Sequence, residues 1–195
     1  MLRTRSFSPS SATRPASSAL RRARQISGFD LSPRILGVDP GLLRTGYGVI
    51  ESDGHHLKLV EGGILRAKTT DSFPKRLQDL HDGLAEVIRE VKPDLMVIED
   101  LFSTYAHPRS ALLMAHARGV LMLAAAKADL QVHSFTPNEV KQVVTGNGHA
   151  SKANVQAAVK ARLRLAAQLH PPDLADALAI AICFAIRQET SAKLA

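Results

Sequence analysis

Four acidic residues lie at positions where ordinary core packing would not place them. Asp39 follows the apolar run RILGV, and Glu99 follows DLMVI, so each ends a short hydrophobic segment. Asp173 and Asp176 are three positions apart before a long apolar stretch, a spacing that puts both on one face of a helical turn. If the four carboxylates converge, mutual repulsion prevents all of them from being ionised unless cations neutralise them.

Such a cluster of carboxylates would bind divalent metal ions. Oxygen ligands favour Mg²⁺ or Mn²⁺ over zinc, and the sequence contains no HxxxH or CxxC spacing. Two ions held roughly 3.5–4 Å apart stabilise both the attacking and the leaving oxygen in phosphodiester hydrolysis. The residues by themselves therefore favour a metal-dependent nuclease.

Each acid also has a purely structural interpretation. Asp39 could hydrogen-bond the turn that begins at Pro40. Glu99 could be a solvated acid at the exit of a strand. Asp173 could be the N-cap of a helix, with Asp176 as the acid of a capping pair.

The segment ALAIAICFAI, which follows Asp176, favours the metal site over these alternatives. It is apolar on every face, as expected for a helix enclosed by protein on all sides. A carboxylate on its first turn therefore points into a semi-buried site, where an unpartnered charge would be costly.

The elements that must position the acids alternate along the chain. Strands are predicted at 34–39, 45–51, about 56–65, 94–99 and 131–136, and helices at about 74–91, 109–127, 137–146, 151–165 and 173–188. Thr136 and Glu139 form a capping box with Pro137 at the first helical position. We predict an α/β domain with a mixed five-stranded sheet, three antiparallel strands and then parallel ones, flanked by helices. Ligand crevices form at strand ends in such sheets.

The positive charge is concentrated at the N-terminus. Residues 1–33 contain six arginines and one acid, although the whole chain of 195 residues carries a net charge of +7. This segment is rich in Ser, Ala and Pro, so we expect a disordered extension followed by one domain over 34–190. An organelle transit peptide, a flexible basic arm and translated sequence upstream of the true start are three interpretations that the residues leave open.

The remaining composition is that of an intracellular globular domain. The single cysteine, Cys183, lies in an apolar run and has no disulfide partner in the chain, which fits a reducing compartment. No apolar stretch is long enough to cross a bilayer. We therefore expect a soluble protein without a membrane partner.

Four motifs, RILGVDPGLLRTGYGVIE, PDLMVIEDLF, EVKQVVTGNGHASK and DLADALAIA, resemble the RuvC family of Holliday-junction resolvases in order and spacing. The similarity runs over roughly residues 34–188. It implies an RNase H-like fold and a homodimer with one active site per subunit. It also implies symmetric, Mg²⁺-dependent nicking of opposite strands at a four-way DNA junction, with two Mg²⁺ per site or Mn²⁺ in their place. A branch-migration complex as partner and a bacterial-type cytoplasmic location follow from the same resemblance.

The resemblance also assigns residues. The metal-binding and catalytic acids fall on Asp39, Glu99, Asp173 and Asp176, and DNA contacts fall on Phe102, Lys141 and Lys152. An aromatic side chain beside the acids can stack on an unpaired base, and lysines can bind phosphate oxygens. From the residues alone, Phe102 could also be a core side chain and each lysine a solvated surface group. Asp100 places a second acid where the family pattern often has an amide, which leaves open which carboxylate faces the metal.

Three other functions are compatible with parts of this pattern. A phosphotransferase of the actin and hexokinase type also has a strand, an Asp, a Gly-rich turn and a strand, but it needs two such domains, and the chain is long enough for one. A non-catalytic junction-binding protein would keep the fold without cutting. Another RNase H-like nuclease would act on RNA or single strands.

Overall fold

The computed structural model describes residues 32–101 and 108–194, in which a five-stranded sheet is covered by helices on both faces. The strands are β1 (Arg34–Asp39), β2 (Arg44–Ser52), β3 (Leu57–Arg66), β4 (Leu95–Glu99) and β5 (Gln131–Phe135). The helices are α1 (Phe73–Val91), α2 (Pro108–Lys127), α3 (Pro137–Thr145), α4 (Lys152–Arg162) and α5 (Pro172–Leu194). Each predicted element is present, with small shifts at its ends.

Two helix ends differ from the sequence-based bounds. Helix α4 stops at Arg162 because Arg164 adopts a left-handed conformation with φ 51°, and the Leu165 N–H turns back to the carbonyl of Lys160 at 3.0 Å. Helix α5 continues past residue 188 to Leu194, and the ion pair between Glu189 and Lys193, at 2.6 Å, stabilises its last turns.

The strands are ordered β3-β2-β1-β4-β5 across the sheet. Strands β1, β2 and β3 pair antiparallel, whereas β4 pairs parallel with both β1 and β5. Gly54, with φ +90°, makes the tight connection between β2 and β3 that the Asp53-Gly54 dipeptide predicts. The predicted mixed sheet is therefore confirmed, and β1 at its centre joins the antiparallel half to the parallel half.

Alternate side chains of the central strands enter two different cores. Leu36, Val38, Met96 and Ile98 pack towards α1 and α2. Ile35 and Val97 face the opposite way and pack with α3, α4 and α5. Because side chains alternate along a strand, the face of every later residue in β1 and β4 is fixed by this arrangement.

Helix α5 lies unusually close to the sheet because the strands beneath it carry glycine. A Cβ on Gly37 would meet the main chain of Ala177 and Ala181, and one on Gly46 would meet the carbonyl of Asp173. The helix is buried from Leu174 to Ala185 except at Asp176, as the apolar sequence of this part predicts. Its first turns therefore lie directly above the end of β1 and the start of β2.

No helix in the described ranges combines the length and the apolar character that crossing a membrane requires.

Candidate active site

Asp39 and Glu99 lie side by side at the ends of two parallel strands. In the register between β1 and β4, Val38 lies beside Ile98, so the next residues of the two strands are Asp39 and Glu99. Ile35 and Val97 on these strands face α5, and the two acids lie an even number of positions further along. Both carboxylates therefore face α5, where the second pair of acids begins.

Burial and repulsion make these two carboxylates hard to ionise. Burial raises the pKa of Asp39 to about 8, and the negative charges of Glu99, Asp176 and Asp173 add to the shift. Burial also raises the pKa of Glu99 to about 7, with a further contribution from Asp176. The mutual influence of the acids shows that the fold brings together the four carboxylates that the sequence singled out.

The acids of α5 are ion-paired in this structure. Asp176 Oδ2 accepts a hydrogen bond from Lys152 Nζ at 3.3 Å. Asp173 Oδ2 lies 2.6 Å from Arg44 Nη2, yet it is buried and no donor is directed at it with hydrogen-bond geometry. Because α5 begins at Pro172, Asp173 lies within its first turn, and the proposed capping pair with Asp176 is replaced by these two ion pairs.

The turn after β1 does not depend on the Asp39 carboxylate. Thr45 Oγ1 donates to the carbonyl of Gly41 at 2.8 Å and accepts from the Gly41 N–H at 3.2 Å. Thr45 is fully buried. The structural interpretation of Asp39 as the residue that holds this turn is therefore wrong, since Thr45 has that role. Thr45 was not among the residues predicted from the sequence to have a role, although a threonine four residues after a Pro-Gly turn is a recognisable signal.

Asp100 faces an arginine of helix α2 instead of the other acids. Its Oδ1 lies 3.2 Å from Arg118 Nη2 and also accepts the N–H of Leu101 at 3.0 Å. Arg118 Nε donates to the carbonyl of Glu99 at 3.0 Å, and its Nη2 donates to Ser134 Oγ at 2.7 Å. Glu99, whose carboxylate interacts with Asp176, is therefore the acid of this pair that faces the cluster.

Both predicted lysines lie next to the acids. The positive charge of Lys141 lowers the pKa of Glu99, which partly opposes the effect of burial. Asp176 raises the pKa of Lys152, whose side chain is 78% exposed. Phe102, the predicted base-stacking residue, lies outside the described residues.

Short helices fix the positions of these lysines. Thr136 Oγ1 accepts from the Glu139 N–H at the start of α3, and Glu139 Oε2 accepts from the Thr136 N–H, as the predicted capping box requires. Arg187 of α5 then pairs with Glu139 at 3.1 Å, which ties the α3 helix of Lys141 to α5. At the start of α4, Ser151 accepts from the Asn154 N–H and caps the helix that Lys152 begins.

The acids fit a hard divalent cation by their chemistry. All four supply oxygen, two have pKa values raised by repulsion and burial, and Asp173 Oδ2 is a buried oxygen that accepts no hydrogen bond. As positioned, no three His, Cys, Asp or Glu side chains of the described ranges surround a common point closely enough to hold an ion. Arg44 lies beside an oxygen of Asp173 and Lys152 beside an oxygen of Asp176, so each base stands where a metal ion would bind these two acids.

The part of the chain that contains these acids is similar to known proteins. Residues 35–184 match the family described as crossover junction endodeoxyribonuclease RuvC. The protein of that name from Rhodopirellula baltica is 50% identical over 149 residues, which is 76% of this chain and 84% of the relative. The one from Geobacter sp. is 41% identical over 160 residues, covering 82% of this chain and 96% of the relative.

Two solved structures share the architecture. RuvC of T. thermophilus in complex with a Holliday junction substrate superposes with a TM-score of 0.77 at 29% identity, over 82% of this chain and 96% of the other. The yeast mitochondrial Holliday junction resolvase Ydc2 superposes with a TM-score of 0.61 at 16% identity, over 89% of this chain and 85% of the other, which shows a shared fold alone. The predicted RNase H-like α/β fold is confirmed.

Proposed function

We propose that this chain, which belongs to the RuvC family of crossover junction endodeoxyribonucleases, resolves four-way DNA junctions. The observation that carries this proposal is the pairing of Asp39 and Glu99 on adjacent strand ends, beneath the two acids of α5. Such a cluster has little structural use, because repulsion and burial make it unfavourable without a cation. The solved T. thermophilus relative is bound to a Holliday junction substrate, which supports the choice of DNA.

The metal of this proposal is Mg²⁺, with Mn²⁺ as a substitute. Asp39, Glu99, Asp173 and Asp176 would hold two ions, which supply charge stabilisation for the attacking and leaving oxygens of the scissile phosphate. To act as ligands, Asp39 and Glu99 must lose the protons that their raised pKa values favour. Arg44 and Lys152 must at the same time release Asp173 and Asp176.

The lysines would bind the DNA backbone beside the cut. Lys152 is largely exposed, and Lys141 is close enough to influence Glu99, so both ammonium groups lie at the rim of the cluster. Point charges at this rim attract phosphate oxygens without distinguishing bases. Lys152, once released from Asp176, is free to contact the phosphate that approaches the acids.

Symmetric cleavage requires a second active site, and we propose a homodimer. Helix α2 exposes an apolar stripe at helical spacing, formed by Leu112, Ala115, Gly119, Leu123 and Ala126. The side chains of Leu112 and Leu123 are 62% and 51% exposed, although large apolar groups are usually covered. A second copy of this helix would bury the stripe, and Gly119 would allow the two helices to approach closely.

The proposal is tested with a synthetic four-way junction labelled on each strand in turn. In Mg²⁺ we expect paired nicks on opposite strands at symmetric positions, and none with Asp39→Asn. Duplex, single-stranded DNA and RNA of the same sequence serve as competing substrates. Junction binding without cleavage by the unmutated protein would favour a non-catalytic binder, and faster cutting of RNA or single strands would favour the other RNase H-like nuclease.

Two further parts of the proposal concern the cell. We propose that a branch-migration complex delivers the junction and that the protein works in the cytoplasm. Binding of the purified protein to branch-migration proteins on a junction, measured by co-sedimentation, tests the first. Imaging of the tagged full chain tests the second.

A further inference from the structure

Arg118 connects helix α2 to the strand end that carries Glu99. Its Nε donates to the main-chain carbonyl of Glu99 at 3.0 Å. Its Nη2 donates to Ser134 Oγ on β5 at 2.7 Å and lies 3.2 Å from Asp100 Oδ1. Only 18% of the Arg118 side chain is exposed, and its bond to the Glu99 carbonyl is partly buried, whereas the Asp100 side chain is 46% exposed, so water screens part of that ion pair.

These contacts act on both acids of the Glu99-Asp100 pair. The hydrogen bond to the Glu99 carbonyl holds the last residue of β4 in the strand, which fixes the direction of its side chain towards α5. The ion pair neutralises Asp100, a fifth carboxylate that directly follows Glu99 in the chain and would otherwise be free to turn towards the cluster. The Arg118 guanidinium therefore holds Glu99 in place and forms an ion pair with Asp100, the next residue.

We propose that Arg118 is a positioning residue for the metal-binding carboxylate of Glu99, acting through the Glu99 carbonyl and through Asp100. The inference rests on the proposed function, because it concerns how tightly the acid cluster holds its ions. Arg118 touches neither the DNA nor the metal in this scheme. Its effect is on metal affinity and turnover, and junction affinity is left unchanged.

A second arginine, far from the acids, makes contacts comparable to those of Arg118 and serves as a control. Arg34, at the opposite end of β1, donates through Nη1 to the carbonyl of Val91 at 2.8 Å and through Nε to Glu51 at 2.9 Å. It therefore makes the same kinds of contact as Arg118, one to a main-chain carbonyl and one to a carboxylate. Loss of either arginine should cost similar stability, but only Arg118 lies next to a metal ligand.

The experiment compares Arg118→Ala with Arg34→Ala in the full chain. Magnesium binding is measured by calorimetry without DNA, junction affinity in Ca²⁺ or EDTA, and kcat and KM in Mg²⁺. For Arg118→Ala we expect Mg²⁺ affinity and kcat to fall by about 10- to 100-fold, as for other residues that orient metal ligands, with KM for the junction retained. Equal losses of Mg²⁺ affinity in the two variants at matched thermal stability would overturn the proposal.

A second substitution tests the part played by Asp100. If Arg118 acts partly by neutralising this acid, then Asp100→Asn in the Arg118→Ala background restores part of the lost Mg²⁺ affinity. The absence of any recovery would overturn the role of Asp100. Should Arg118→Ala fail to fold, Arg118→Lys replaces it, because lysine keeps the charge but cannot contact the carbonyl and Asp100 with one planar group.

The same measurements separate this inference from the proposed function. If the unmutated protein neither binds Mg²⁺ nor cuts the junction, the proposed function fails. If it does both and Arg118→Ala behaves like Arg34→Ala, only the positioning role fails.

Discussion

Arg44 Nη2 lies 2.6 Å from Asp173 Oδ2. A side chain from the start of β2 therefore forms an ion pair with a carboxylate that a metal ion would need as a ligand. The two residues are far apart in the sequence and meet because α5 crosses directly over the end of β1 and the start of β2. Arg44 is 44% exposed, so its charge is screened by water and it can leave the site without disturbing the core.

We therefore expect Arg44→Ala to bind Mg²⁺ more tightly in the absence of DNA. Exposed ion pairs contribute roughly 0.2–1 kcal/mol, so the gain should be at most about fivefold. Calorimetric titration measures it, and Arg66→Ala is the control. Arg66 lies opposite Arg44 in the strand pair but forms no ion pair among the described residues. An equal gain in both variants would mean that the effect comes from net charge and not from the pair with Asp173.

Asp39→Asn and Glu99→Gln should each abolish cleavage and leave junction affinity nearly intact. Loss of a side chain that is proposed to bind the metal directly should lower activity by more than the roughly 10- to 100-fold typical of residues that only orient metal ligands. Binding is retained because neutralising an acid beside phosphates does not weaken their attraction to the protein. Gel-shift titration in Ca²⁺ and nicking in Mg²⁺ measure the two properties separately. Nicking by either variant at the unmutated rate would refute the assignment.

The raised pKa of Asp39 also predicts how stability depends on pH. The folded protein holds this proton up to about pH 8, whereas the unfolded chain loses it near the ordinary pKa of aspartate, about 3.9. Between these values the folded state binds more protons, so this residue destabilises the metal-free protein increasingly as pH rises. Asp39→Asn should therefore raise the melting temperature in EDTA, and more at pH 8 than at pH 5.

The shift should be several degrees, because about 1 kcal/mol moves the melting temperature of a domain of this size by roughly 2–4 °C. Scanning calorimetry at both pH values measures it. Mg²⁺ should stabilise the unmutated protein at pH 8 and have little effect on the variant. A gain that is the same at pH 5 and pH 8 would show that Asp39 is ionised in the metal-free fold.

Gly37→Ala should separate helix α5 from the sheet. The added methyl would meet the main chain of Ala177, which cannot move aside as a side chain can, and overpacking of this kind costs roughly 1–3 kcal/mol. We expect a lower melting temperature together with weaker Mg²⁺ binding, since α5 carries Asp173 and Asp176. Gly148→Ala is the control, because a Cβ there makes only ordinary contacts, the nearest at 3.5 Å. Unchanged Mg²⁺ affinity in a folded Gly37→Ala protein would contradict the proposed dependence on this close packing.

Removing residues 1–30 should leave folding and nicking intact. The family match begins at residue 35, and the four acids and the two lysines of the candidate site all lie after that position in the chain. Melting temperature and kcat of the shortened and full chains, compared side by side at low and moderate salt, test this. A shortened chain that fails to fold would contradict the expected division between residues 1–33 and the domain over 34–190.

The strands, the helices and the choice of the four acids could be predicted from the amino-acid sequence alone. The strand and helix patterns, the Thr136–Glu139 capping box and the Asp53-Gly54 turn depend on residues that are neighbours in the chain, so local chemistry is sufficient to predict them. The placement of acids after apolar strands and before an all-apolar helix likewise needs no knowledge of distant contacts.

The partners of these acids depend on contacts that form only when the chain folds. In the folded protein, Thr45 holds the turn after β1, Asp39 and Glu99 lie on the same face of the sheet, and Asp100 contacts Arg118. Each of these outcomes depends on strand register or on a side chain from another element, as does the close approach of α5 over Gly37. Contacts between distant segments depend on how whole strands and helices pack. A local sequence pattern therefore does not predict which arginine an acid contacts or which face of the sheet the acid lies on.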